Sequence, residues 1–119
     1  MRRVYRKPFS AWSKKIQNQL WKLNFGEHDG QMYRQIEYEP DLDTFVMIES
    51  NEVLGWAMVT EGGWAMFYVR DKYRREGVAT RLAKRIKRQH KKLRVDGWDA
   101  GSCKFFESTG LSRHQEIYG

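Results

Sequence analysis

At 119 residues the chain holds one hydrophobic core and not two, since compact domains run on the order of 100–150 residues, and a single domain over 1–119 is expected. An apolar content of 40%, with five Trp, six Tyr and six Phe, excludes a disordered or fibrous chain. The net charge of +7 is concentrated: residues 81–94 hold eight cations and no acid, leaving 14 basic against 15 acidic residues elsewhere, which points to a localised anionic partner.

In chain order, the basic start Arg2-Arg3 is followed by no apolar signal-like region, and nowhere do about 18 uncharged apolar residues run together, so no membrane partner is expected. Arg3-Val4-Tyr5-Arg6 reads as a short strand ended by Pro8. Ser10 is then the expected cap of a helix with Trp12, Ile16, Leu20 and Leu23 on one side. Gly26, Asp29-Gly30 and Pro40-Asp41 break that pattern, so 26–43 is expected as loop with a short helical or extended piece around 32–38.

Residues 44–49 and 53–60, joined tightly at Ser50-Asn51, read as a hairpin. Glu61-Gly62-Gly63 supplies a second turn and 64–69 a third strand, giving an antiparallel meander. Trp56 and Trp64 are read as core packing on adjacent strands, and Trp98 as a cover for the sheet.

After Gly77, residues 77–92 contain no further Gly or Pro. Val78, Leu82, Ile86 and Leu93, with Ala79, Ala83 and Gln89, draw an apolar stripe opposite the basic one, which predicts a long amphipathic helix. Leu93-Arg94-Val95 begins another strand, Asp99-Ala100-Gly101-Ser102 a loop and helix start, and 104–108 one or two helical turns ended by Gly110; 112–118 is a final edge strand. This order is that of an α/β or α+β mixed domain. One cysteine, Cys103, excludes an internal disulfide, and no Cys/His cluster has zinc-ligand spacing; no metal and a reducing, cytoplasmic setting are expected.

The segment with the most chemical content is Arg74-Arg75-Glu76-Gly77-Val78-Ala79-Thr80, between a predicted strand and the long helix. A helix N-terminus carries unpaired N–H groups and partial positive charge, and a glycine there lets an anion such as a pyrophosphate approach the main chain. The pattern R-x-x-G-x-A formed by Arg74, Gly77 and Ala79, preceded by Tyr68-Val69-Arg70-Asp71-Lys72-Tyr73, resembles the acetyl-CoA signature of the GNAT superfamily of N-acetyltransferases. The resemblance extends to Asp99…Phe105-Phe106…Gly110-Leu111, which looks like that family's later N-x-x-A-x-x-F-Y-x-x-x-G-F segment, so residues 44–111 are covered. The short chain is also similar to compact versions encoded by tailed bacteriophages.

The resemblance implies a central, mostly antiparallel sheet of about six strands flanked by helices, with a V-shaped opening between strands 4 and 5. It implies acetyl-CoA as cosubstrate. The amides of Arg75, Glu76, Gly77, Val78, Ala79 and Thr80 would then hold the pyrophosphate and the main chain of Phe67 and Val69 the pantetheine arm, with Arg74, Asp99 and Phe106 in the cofactor segments. Of the basic helix, Arg81, Lys84 and Arg85 are near enough to its start to reach a cofactor phosphate, and the other cations read as a solvated face.

Acetyl transfer to an amine requires a neutral nucleophile, a polarised carbonyl and a proton for the departing thiolate. Phe106 stands where family members often place a proton-donating tyrosine, leaving Ser102, Cys103 and Tyr73 as substitutes; Asp99 replaces a common asparagine. Glu49 and Glu61 are the acids best placed to act as base, with His28 and His114 unplaced and a water chain as the alternative. The expected function is N-acetylation of a primary amine on a small molecule, peptide or protein lysine, by direct attack in a ternary complex. The alternatives are a catalytically degenerate binding or structural protein of this fold and, ranked last, a nucleic-acid-binding module using the basic helix. A monomer or a homodimer, in the cytoplasm or a viral host's cytoplasm, completes the expectation.

Overall fold

The computed structural model describes residues 2–22, 38–73, 75–90, 93–95 and 112–113. Strand β1 (Arg3–Pro8) runs antiparallel to β2 (Asp43–Glu49), from Arg3 opposite Ile48 to Pro8 opposite Asp43. The chain then reverses at Ser50-Asn51 into β3 (Glu52–Val59). Both turn residues have positive φ, 50° and 66°, the left-handed pair whose twist matches that of the flanking strands in a two-residue hairpin. A second reversal, in which Thr60 Oγ1 accepts the Trp64 amide at 3.0 Å, leads into β4 (Ala65–Val69). The expected meander is present and β1 extends it to the order β1-β2-β3-β4.

Alternation along the strands serves two faces. Phe45, Met47, Ala57, Val59, Ala65 and Val69 pack beneath helix α2 (Val78–Gln89), against Val78, Leu82, Ala83 and Ile86. Val46, Val53, Trp56 and Met58 pack on the other face beneath Phe9, Trp12 and helix α1 (Lys14–Lys22), which contributes Ile16 and Leu20. Leu20, Leu82 and Ile86 are fully buried, and such side chains contribute roughly 1.5–3 kcal/mol each. Trp56 is core, as expected, whereas Trp64 is only half-buried.

The sheet register breaks once. Met47 faces Gly55 while Ile48 faces Val53, so Leu54 is an extra residue on β3. An extra residue in a period-two pattern puts two neighbours on one face, and Leu54 and Gly55 both lie under α2. Gly55 is required there by space: a Cβ would stand 2.9 Å from Val78 Cγ1 and 2.9 Å from the Tyr68 carbonyl oxygen. The first residue of α2 thus rests on bare backbone.

Three expectations need correction. Helix α1 starts at Lys14 rather than just after Ser10. A 3-10 turn (Phe9–Ala11) intervenes because the Phe9 and Ser10 amides donate to the carbonyls of Leu42 (2.8 Å) and Pro40 (3.0 Å). Ser10 bonds Asp41 with its hydroxyl, and it is Ser13 Oγ that accepts the Ile16 amide, at 3.3 Å, as the cap. Helix α2 ends at Gln89, where His90 turns extended at φ −130° with its ring 2.6 Å from Asp43. The six strands do not form one sheet: β5 (Arg94–Val95) and β6 (Ser112–Arg113) form a separate parallel pair, so the antiparallel sheet has four strands among the described residues. Leu23, all but the last residue of the piece expected around 32–38, Trp98, the segment 99–110 and the tail after 113 lie outside the described residues. Among the described residues no helix is long and apolar enough to cross a membrane.

Replacing Gly55 by Ala is expected to destabilise the protein by about 1–3 kcal/mol, as overpacking against backbone does. Urea denaturation should show a lower midpoint at unchanged slope; an unchanged midpoint would mean that Val78 does not seat on this residue.

Candidate functional site

The link from β4 to α2 is a 3-10 turn (Asp71–Tyr73) followed by a reversal in which Arg75 (φ 70°) and Gly77 (φ 81°) are both left-handed. Gly77 occupies the cap position of α2, and among the described residues no side chain accepts a hydrogen bond there. The first intrahelical bond runs from the Arg81 amide to the Gly77 carbonyl at 3.0 Å, so the N–H groups of Val78, Ala79 and Thr80 have no acceptor within the helix. The first turn of α2 carries no acid, and a Cβ built on Gly77 meets nothing within 4 Å among the described residues. Open space therefore faces a cluster of donors at the positive end of a helix dipole, which suits an anion. Of the amides expected to serve such an anion, that of Glu76 is turned inward, 3.3 Å from the Tyr73 carbonyl.

Hydrogen bonds fix the direction of the β4 backbone. The Arg70 amide donates to Leu54 and the Thr60 amide to Trp64, and antiparallel pairs alternate between bonded and non-bonded. Met66 and Tyr68 therefore exchange bonds with β3, and the N–H and C=O groups of Ala65, Phe67 and Val69 are directed away from it, to the outer edge. Strand β5 approaches β4 but belongs to the other sheet.

Around the turn lies a network of charged groups whose pairing the sequence did not reveal. Arg2 bridges Glu76 (2.8 Å) and Glu49 (3.5 Å), with its guanidinium 5.3 Å from the Tyr73 ring centre. Tyr73 donates its hydroxyl to Glu52 at 2.5 Å, and Lys72 approaches the same carboxylate at 3.1 Å. These hydrogen bonds, Tyr73 first and Lys72 second, hold the Glu52 carboxyl below its ordinary range; the Tyr73 hydroxyl is raised, through the same bond and through burial. Arg70 Nε donates to the Val53 carbonyl at 2.6 Å, while Gln19 of α1 accepts the Val53 amide at 2.9 Å and donates to the Asn51 carbonyl at 3.0 Å. The hairpin tip, α1 and the exit of β4 are thereby joined.

The two acids expected as bases are not brought together. Glu49 ends β2 beside the turn, already paired with Arg2, whereas Glu61 follows β3 at the opposite end of the sheet, its amide donating to Glu39 at 2.9 Å. Glu61 borders a concavity of about 430 Å³, with Tyr38, Asp41, Asp43, Thr60 and His90, and this hollow is remote from the turn. There Asp43 receives Arg6 (2.8 Å) and His90 (2.6 Å). Burial pushes the Asp43 carboxyl up, but hydrogen bonds from Arg6 and His90 outweigh it and keep it below its usual value. Tyr73, a substitute proton donor, is held by Glu52 and made a weaker acid. Arg81 donates to the Arg2 carbonyl at 3.3 Å, and Arg85 Nε has no acceptor among the described residues. Arg74, Asp99, Ser102, Cys103, Phe106, His28 and His114 lie outside the described residues. Among the described residues no three His, Cys, Asp or Glu side chains group as a metal site.

Three layers and a glycine-led helix that follows the edge strand through a left-handed turn define an α/β protein. The model of the acetyltransferase (GNAT) family matches residues 11–111, and the chain belongs to that family. Its structure is similar to a possible acetyltransferase from Clostridium difficile 630, at 14% identity and a TM-score of 0.66, over 94% of this chain and 91% of that one. AAC(6')-Iy in complex with a bisubstrate analogue, CoA-S-monomethyl-acetylneamine, matches at 14% identity and 0.65, over 94% and 91% of the two chains. Glucosamine-6-phosphate N-acetyltransferase from Arabidopsis thaliana matches at 15% and 0.62, over 94% and 92%. At these identities the likeness is one of fold. No curated protein matches the sequence significantly.

With its folded-state pKa lowered, Asp43 contributes stability that is fully present above about pH 4 and is lost as pH falls through the lowered value. Asp43→Asn should therefore melt below the wild type at about pH 6, with the gap closing toward about pH 2. Parallel melting curves across that range would show that the Arg6 and His90 contacts do not form in solution.

Proposed function

We propose that the chain is an N-acetyltransferase that moves an acetyl group from acetyl-CoA to a primary amine of a small molecule, a peptide or a protein lysine, with both substrates bound at once. The observation that carries this reading is the turn at 75–80: two left-handed residues, an uncapped helix start and open space over Gly77. Together with membership of an acetyltransferase family, it makes a pyrophosphate of coenzyme A the anion of choice. The donors are the amides of Gly77, Val78, Ala79 and Thr80, with Arg75 exposed beside them.

The pantetheine arm belongs along the outer edge of β4, where the backbone groups of Phe67 and Val69 are directed, in an opening between β4 and β5. Acetyl-CoA supplies an activated thioester. The protein's part is to fix that thioester and admit an amine in its neutral form, since only a lone pair attacks carbonyl carbon. Glu49 is poorly suited as base because Arg2 already engages it, which leaves Glu61, or water, for that role. Binding without turnover would identify a degenerate relative that keeps the cofactor site. The structural matches bear on fold, and a bacteriophage origin rests only on the chain's brevity.

Calorimetry with acetyl-CoA and with CoA, followed by thiol release against a panel of amines, tests the reading directly. Gly77→Glu should weaken CoA binding by more than tenfold relative to Gly77→Ala, equivalent to at least about 1.4 kcal/mol. Both variants carry the same left-handed strain of about 1–2 kcal/mol, and only one adds a negative charge at the turn. Equal CoA affinity in two folded variants would remove the turn from the proposal.

A further inference from the structure

Glu76 presents a problem for an anion site. Its carboxylate is the nearest acid to Gly77 in the chain, and a released carboxylate is itself a good ligand for the free amides at the start of α2. In the structure that carboxylate is held by Arg2, at 2.8 Å. Arg2 is in turn fixed on other sides: Glu49 approaches its Nε at 3.5 Å, Tyr73 lies under its guanidinium at 5.3 Å, and its carbonyl accepts from Arg81 at 3.3 Å. The next residue, Arg3, starts β1 opposite Ile48, so the guanidinium is anchored to the sheet and not to the turn it serves. Tyr73 is steadied by Glu52, which ties the same arrangement to the hairpin.

We propose that Arg2 is a positioning residue for the turn, which neutralises Glu76, holds its carboxylate away from the helix start, and so keeps the amides of Val78 to Thr80 open to the phosphates of coenzyme A. The inference rests on the functional reading above, and adds to it a residue that touches no substrate. It also gives the turn a second requirement beyond its own sequence: a cation from the far end of the chain. Without Arg2, Glu76 competes with the cofactor as an internal anion.

The test compares CoA affinity by calorimetry in the full-length wild type, Arg2→Ala, Glu76→Gln and the Arg2→Ala/Glu76→Gln double variant, with melting curves for each. Arg2→Ala should weaken CoA binding about tenfold, the scale of an anion at a helix start, and adding Glu76→Gln should bring it back to within about twofold of wild type. Glu76→Gln alone should bind CoA at least as tightly as wild type. A merely structural staple at the start of β1 would predict a loss that Glu76→Gln does not relieve, and that result overturns the proposal, as does unchanged affinity in Arg2→Ala. If Arg2→Ala does not fold, Arg2→Gln takes its place with the same expectations. Failure of the wild type itself to bind CoA overturns the functional reading beneath, and is seen before any variant is compared.

Discussion

The arrangement of this protein depends on one steric fact: the backbone of Gly55 lies where any larger residue would collide with Val78. The β-bulge at Leu54 and Gly55 is what brings that bare stretch of β3 beneath the start of α2. Because β3 also pairs with β4, the same few atoms set the position of the helix start relative to the strand leading into it. Arg70 reinforces the junction by bonding the carbonyls of Val53 and Leu54, one through its guanidinium and one through its amide. The geometry of the turn is thus inherited from the sheet.

Much of this was legible from local patterns. Ser50-Asn51 between two apolar runs signals a two-residue turn, and the structure has both residues left-handed there. The stripe Val78, Leu82, Ile86 signals a helix, and all three are buried. Local patterns fail where distant groups decide. Ser10 reads as the cap from its local sequence; what moves the cap to Ser13 is that the Pro40–Leu42 stretch captures Phe9 and Ser10. The bulge is also silent, since Val53-Leu54-Gly55-Trp56 reads as an unbroken apolar run and gives no sign that two neighbours share a face.

The site shows the same division. Gly77 and its surroundings form a contiguous motif, so their place between strand and helix could be read directly. Arg2, in contrast, meets Glu76 from a distant part of the sequence, and a basic residue near an N-terminus carries no local mark of such a partner. Glu49 looked available as a base for the complementary reason: a strand end suggests exposure, and only the fold reveals that Arg2 occupies it. Long-range charge pairs are where single-sequence reasoning loses its grip, because side-chain charge has no periodicity that records its partner.

Helix α2 is held at both ends, by Val78 on Gly55 at one and by His90 on Asp43, with Gln89 on Arg6, at the other. A rod fastened twice cannot swing about either fastening. For the proposed cofactor this means that the amide donors at its start are already in place, and that association would spend little free energy on ordering them. Selectivity at the proposed site would then come from shape at a fixed template, and a ligand whose charges are spaced differently would gain no adjustment from the protein.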